Sequence, residues 1–361
     1  MQNISTQELI KSIIQRIAVG PDRGRDINHE EAYLATQALL NNELDPVQAA
    51  IFLIGLRMKR ESMDEYKGIF QALQEPVATV HANLEHIIYL AEPYDGYARH
   101  LPMSPFIPAV LAACDFPCVI QGVKSVGPKH GVTAHQVYSE HGIIINSNTL
   151  SAQESLENNH CGWAYLDQSM VSPKLYDLQS FRDQIVKRTA LTTLERLIRP
   201  IDAKRTSLII GYVHKAYPEI YAAIAKQASF NDTLLIKGIE GGITPALNKP
   251  LRSFFATEQH FGEKEIINDL TAQYEFSGVM IDKTSQDSLA KQTLHAGLQA
   301  LDGNRGNAYD SILLTSKTIL KKLSPALEKL SPEIQEKEAS KKVAHVLDSG
   351  IAKKRFNALR E

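Results

Sequence analysis

The sequence predicts an α/β protein in two parts, a small N-terminal helical domain and a larger α/β domain with a mostly parallel central sheet. Three observations carry this. Helix-start signals recur at Ser5, Asn28, Asp45 and Ser62. Apolar β-type runs then alternate with helical stretches. The chain has 361 residues, 43% hydrophobic and 22% charged, enough to bury a core in each of two domains.

The elements follow in order. Ser5 with Glu8 makes a capping box, and Leu9, Ile10, Ile13, Ile14 and Ile17 recur at helical spacing. Residues 20–25 are a polar loop. Asn28 with Glu31 starts a second helix carrying Leu34, Ala35 and Leu39. Asp45 before Pro46 is an N-cap with proline at the first helical position. Ser62 with Glu65 caps a fourth helix, bearing Tyr66, Ile69, Phe70 and Leu73. These helices carry more apolar surface than they can hide alone, so they pack on one another. Residues 76–84 read as a hinge. Strands are expected at 86–90, 118–123, 143–146, 163–166, 207–213 and 233–237. Residues 178–200 read as helical throughout, and the Lys/Glu-rich stretch 317–342 as a solvated helical face.

The formal net charge is −2, so any nucleic-acid footprint must be a local patch. Cys114, Cys118 and Cys161 fit no zinc spacing and read as buried free thiols in a reducing compartment. The N-terminus lacks a signal-peptide plan, and no apolar run is long enough to span a bilayer. A cytoplasmic location and no membrane partner are therefore expected. The histidines form no metal-ligand spacing, and no HExxH pattern occurs.

The segment most informative about function is Glu92-Pro93-Tyr94-Asp95-Gly96-Tyr97, between a strand and a helix expected at 104–113. A strand, tight turn and helix start together present free backbone N–H groups to an anion. Open glycines would let a diphosphate approach, and only Gly96 is present. Arg99 and His100 supply charge nearby, and Tyr94 or Tyr97 is positioned to stack on a base; the alternative is an ordinary surface turn. Lys124-Ser125 and Lys129-His130-Gly131 follow another strand and read as a phosphate loop or as a solvated one. A basic run holds Arg182, Lys187, Arg188, Arg196, Arg199, Lys204 and Arg205, with Asp183, Glu195 and Asp202 interleaved as possible pairing partners. His214-Lys215 follows a strand and faces the same end of the sheet. Lys353-Lys354-Arg355 suits a final helical turn without any ligand.

The stretch 44–59 (LDPVQAAIFLIGLRMK) resembles the anthranilate phosphoribosyltransferase family, which shares its fold with pyrimidine nucleoside phosphorylases. The likeness continues through Gln121-Gly122 to Gly142, Arg182 to Thr189, Lys237 to Gly242, and Ser349-Gly350-Ile351-Ala352. It implies an anthranilate phosphoribosyltransferase-like fold. The helical domain would be 1–78 completed by 173–200, and the α/β domain 79–172 with 201–361. It also implies a homodimer formed through the helical domain. The family's Gly-Thr-Gly-Gly-Asp loop falls on Glu92 to Gly96, and of its Asn-Ile-Ser-Thr motif only Ser104 persists. Its magnesium-binding Asp-Glu pair falls near Thr244-Pro245, and Glu240 is the one acid in the glycine-rich segment 238–242. Lys124 takes the place of a family arginine, as a point charge without the bidentate fork. Arg182 matches a family arginine near the acceptor substrate.

The chain thus resembles a divergent branch of that family which binds nucleic acid. The expectation is a degenerate sugar-phosphate site at Tyr94, Asp95, Gly96, Arg99, Ser104, Lys124, Ser125, Lys129 and Glu240, with no catalytic residue assigned and small phosphate ligands as possible occupants. Lys124, Lys129, Arg182, Lys187 and Arg188 would contact DNA, single- or double-stranded, through its phosphates with little sequence readout. No cofactor or metal is expected. The alternative is an active glycosyl- or phosphoribosyltransferase with an unusual acceptor, using magnesium with help from Glu240. A third reading is a partner-binding scaffold that binds neither ligand.

Overall fold

The structure, a computed structural model, describes residues 5–20, 22–145, 148–267 and 274–360. Its first part is a helical bundle of α1 (Thr6–Ile17), α2 (His29–Leu40), α3 (Pro46–Lys59) and α4 (Met63–Gln74). The expected caps are in place. Ser5, Asn28 and Ser62 each close a reciprocal capping box, and Asp45 accepts from the Val47 and Gln48 amides ahead of Pro46. Helices α2 and α4 touch at Gly68, where an added Cβ would lie 2.2 Å from the His29 carbonyl oxygen.

The strands among the described residues are, in chain order, β1 (Val80–His81), β2 (Ile87–Ala91), β3 (His100–Leu101), β4 (Cys118–Gly122), β5 (Trp163–Asp167), β6 (Ile201–Asp202), β7 (Thr206–Tyr212), β8 (Asp232–Lys237), β9 (Leu251–Thr257), β10 (Glu265–Ile267) and β11 (Val279–Met280). Seven form one sheet in the order β10-β9-β8-β7-β2-β4-β5. The β8-β7-β2-β4-β5 part is parallel, while β9 and β10 extend it antiparallel. The parallel strands β2, β4 and β5 are buried at every position, which is why they read as continuous apolar runs. Helices cover both faces. At the hinge, β1 pairs with β6 in parallel, so the two passages of the chain near residues 80 and 201 are tied together.

Several expectations are corrected. The expected strand 143–146 is a single bridge between Ile143 and Arg360, and Asn146 lies outside the described residues. The segment 178–200 is not one helix. Gln179–Ile185 ends at Val186, whose φ is +60°, and a second short helix runs Ala190–Leu194. The stretch 317–342 is not simply a solvated face. Lys317 and Lys321, each with a side chain 12% exposed, reach Glu336 and join helix Asn307–Leu323 to helix Pro332–Asp348. The three cysteines are free and buried, and burial pushes the Cys114 thiol up to about 12. No described helix is long and apolar enough to cross a membrane.

Candidate anion cleft

Ligands of open parallel sheets sit beyond the carboxyl ends of the strands. Here β2, β7 and β8 end beside the helical bundle. A cleft of about 410 Å³ lies there, lined by Arg57 of α3, Lys129, Arg188, Arg196, His214 and Tyr217 among others. Asp95, Arg99 and Glu240 share the lining, but Lys124 and Ser125 do not.

The turn after β2 is built around Glu92. Its buried carboxylate accepts from the Tyr97 hydroxyl at 2.5 Å, the Ser104 hydroxyl at 2.8 Å and the Ile243 amide at 2.8 Å. The loop at Gly242 closes against this group; a Cβ there would lie 1.5 Å from the Tyr97 hydroxyl oxygen. The turn and the Gly242 loop are therefore packed against each other through the Glu92 and Tyr97 side chains. Gly96, at φ +73°, closes the turn by donating to the Pro93 carbonyl at 2.9 Å. A Cβ at Gly96 would meet the Gly131 carbonyl oxygen at 2.5 Å, so the turn needs glycine there.

Neither tyrosine is available for stacking, contrary to expectation. Tyr94 is buried against Val123 and Val126, and Tyr97 is buried with its hydroxyl on Glu92. Asp95 is also buried. Its carboxylate accepts from Arg188 Nε at 2.9 Å and Nη2 at 2.5 Å, with Lys129 Nζ 3.7 Å away. Ser104 turns to Glu92 and is not free for a ligand.

Glu240 is the centre of a second anion arrangement. Three consecutive backbone amides donate to it, from Ala98 at 3.1 Å, Arg99 at 2.9 Å and His100 at 3.1 Å. Lys129 Nζ lies at 3.3 Å and His100 Nδ1 at 3.3 Å. Successive N–H groups converging on one point make an anion nest. The nest is filled from within. Burial pushes the Glu240 carboxyl up, but the bonds from His100 and the Ala98 and Arg99 amides, with Lys129 nearby, outweigh it and bring it down to about 2. Glu240 sits at φ +52°, a left-handed conformation, in the turn that delivers it to the nest.

The residues present do not fit a divalent ion. Thr244-Pro245 stand where a carboxylate pair is expected. Glu240 is taken up by amides and Lys129. Among the described residues no group of three His, Cys, Asp or Glu could hold a metal.

Most of the basic run is consumed. Arg182, 5% exposed, makes a bidentate pair with the fully buried Glu195, both bonds 2.7 Å. It faces a carboxylate inside the fold, which corrects the expectation that it meets a phosphate. Arg196 donates to the Gly241 and Gly211 carbonyls, Arg199 and Arg205 pair with Asp202 and Asp232, and Lys204 pairs with Glu85. Lys187 is exposed and has no polar partner among the described residues; Arg188 is exposed beside Asp95. Lys124 is exposed, its ammonium unpartnered among the described residues, while its carbonyl accepts from Thr133 and Gln136. Ser125 bonds His130 at 3.0 Å. Arg57 and Tyr217, 3.2 Å apart, were not anticipated. They come from different domains, and no local pattern marks the pair.

Residues 9–76 match the helical bundle domain of the glycosyl transferase family. The chain is 24% identical over 243 residues to an uncharacterized protein of Aquifex aeolicus, covering 67% of this chain and 72% of that one. It is 23% identical over 353 residues to the anthranilate phosphoribosyltransferase of Legionella pneumophila strain Paris, covering 93% and 92%. Among solved structures it is similar to anthranilate phosphoribosyltransferase from Saccharomyces cerevisiae in complex with PRPP and Mg, with a TM-score of 0.75, 13% identity and coverage of 98% and 97%. The Thermus thermophilus enzyme gives a TM-score of 0.71 at 16% identity, covering 97% of each chain. Its residues 9–76 thus match the helical bundle of the glycosyl transferase family, and the chain as a whole has the fold of the anthranilate phosphoribosyltransferases it is similar to.

Proposed function

We propose that the chain binds nucleic acid through its phosphates, on a phosphoribosyltransferase-like scaffold whose donor site is degenerate. One observation carries the reading: five guanidinium or ammonium groups line the cleft against two carboxylates, Asp95 and Glu240. Three of these cations, Arg57, Arg99 and Arg188, are exposed, as is Lys187 next to Arg188 in the chain, while the Glu92 and Glu240 carboxylates accept hydrogen bonds from within the fold. A polyanion lying across the mouth gains this charge without entering. No exposed aromatic of the turn offers a base platform, which favours contacts blind to sequence.

Relatives named anthranilate phosphoribosyltransferase motivate the second reading, transfer from a ribosyl diphosphate to an unusual acceptor. The lack of fit to a magnesium–diphosphate donor counts against it. We further propose that the protein is a homodimer. Val47, Ile51 and Met58 are 65%, 37% and 67% exposed along α3, and a groove of about 470 Å³ runs between α1 and α3.

The test is Lys187→Glu with Arg188→Glu. Affinity for unrelated oligonucleotides should fall alike, with a shallower salt dependence. Unchanged affinity removes these two residues from the path.

A further inference from the structure

A second concavity of about 500 Å³ shares Arg99 and Glu240 in its lining with the cleft. Its wall carries Lys237 from the end of β8, Lys249 from the loop before β9, and Arg252 from β9. Its floor is His100 bonded through Nε2 to Ser277 at 2.7 Å. Several other surface lysines are paired, Lys342 with Asp115, Lys353 with Asp302 and Lys322 with Glu265, whereas Lys124 and Lys187 are not. Lys237, Lys249 and Arg252 have no carboxylate partner among the described residues. The one carboxylate in the lining, Glu240, is already engaged by three amides and Lys129. Three cations without carboxylate partners thus line one hollow, where an anion would gain attraction from all of them.

We propose that this concavity takes phosphates of a single-stranded nucleic acid that continues from the cleft past Arg99, which lines both. The proposal rests on the nucleic-acid reading of the cleft and extends it to a second site. The volume falls in the range of about 300–1,000 Å³ typical of small-ligand sites. It admits a nucleotide and not a duplex. The lining has no Phe, Tyr or Trp, and its one aromatic ring, His100, is bonded at Nδ1 to Glu240 and at Nε2 to Ser277, so the hollow holds backbone and does not stack bases. Lys237, Lys249 and Arg252 neutralise phosphates there, and the hollow is indifferent to base identity.

The experiment is fluorescence anisotropy of a labelled oligothymidylate, and of a duplex of equal length, over a salt series. Wild type is compared with Lys237→Ala/Lys249→Ala/Arg252→Ala. Each phosphate contact on a single strand contributes about 0.7 to the slope of log affinity against log salt. The triple variant should therefore flatten the single-strand slope by about 2, and each single alanine variant by about 0.7, which covers the case of a triple variant that folds poorly. The duplex slope should not change. Equal single-strand slopes in wild type and variants overturn the second site while leaving the cleft reading intact. Equal flattening for strand and duplex overturns it too, by showing diffuse attraction. A wild type that binds neither overturns both readings. A variant that loses affinity for a mononucleotide but keeps the wild-type oligonucleotide slope assigns the hollow to a small ligand and overturns the strand path.

Discussion

Arg182→Ala separates a structural arginine from a ligand-binding one. In the fold Arg182 gives both guanidinium nitrogens to Glu195 at 2.7 Å, and Glu195 is 0% exposed. With the arginine removed, Glu195 keeps only the Gln168 amide at 2.9 Å. A buried carboxylate stripped of its cation costs about 3–5 kcal/mol. Each 1.4 kcal/mol or so is a factor of ten, so the unfolding constant should rise by about two to four powers of ten. Arg182→Met with Glu195→Met removes both charges and should recover most of the loss, since replacing a whole buried pair with apolar groups is often neutral. Urea denaturation followed by far-ultraviolet circular dichroism measures both variants, and oligonucleotide anisotropy is run beside it. The expected result is a large stability loss for the single variant, a small one for the double, and unchanged affinity wherever the protein is folded. A stable Arg182→Ala protein with weakened oligonucleotide binding would refute the reasoning and return Arg182 to the phosphate path.

Other outcomes follow from the same geometry. Glu92→Ala should cost several kcal/mol in a urea melt, because the Tyr97 and Ser104 hydroxyls and the Ile243 amide lose their acceptor together, at about 1–3 kcal/mol for each buried group left unsatisfied. Glu240 is ionised in the fold down to about 2 against an ordinary 4.5, so the stability it contributes is present above about 4.5 and is lost as pH falls toward 2. Glu240→Gln should be less stable than wild type at neutral pH, with the gap closing across that window in pH-dependent melts; a constant gap contradicts the assignment. Ile51→Glu with Met58→Glu should give a monomer by light scattering where wild type is a dimer. A monomeric wild type removes the dimer proposal.

The helical bundle was legible because its signals are local. A Ser or Asn followed three residues later by Glu fixes a helix start within a single turn, and all three such boxes formed. The central strands were legible because both faces are buried. Strand β9 was not, since its burial is uneven and Phe254 and Phe255 are only half-buried at the antiparallel edge. Val186 broke a helix that reads as continuous, and valine carries no signal for a positive φ. Of the anion cleft, the residues Asp95, Arg99, Lys129, Arg188 and Glu240 were legible as members, but their roles were not. Asp95 and Glu240 act as internal anions through partners distant in sequence, Arg188 for one and the 98–100 amides for the other. Arg182 was legible as one of a charge pair, because Glu195 lies in the same run; its burial came from packing between segments. Lys249 and Arg252 carry no local pattern, and Lys237 is legible only as the start of the segment 237–242, because the three cations come together only where β8 and β9 meet.

The most direct measurement is anisotropy of a labelled single-stranded oligonucleotide across a salt series, repeated with phosphoribosyl diphosphate and magnesium as competitor. The expected result is tight binding at low salt that weakens steeply as salt rises, with no specific competition from the donor beyond its ionic strength. Absence of oligonucleotide binding at low salt, together with saturable binding of the magnesium–diphosphate donor, would contradict the proposed function and point to transferase chemistry.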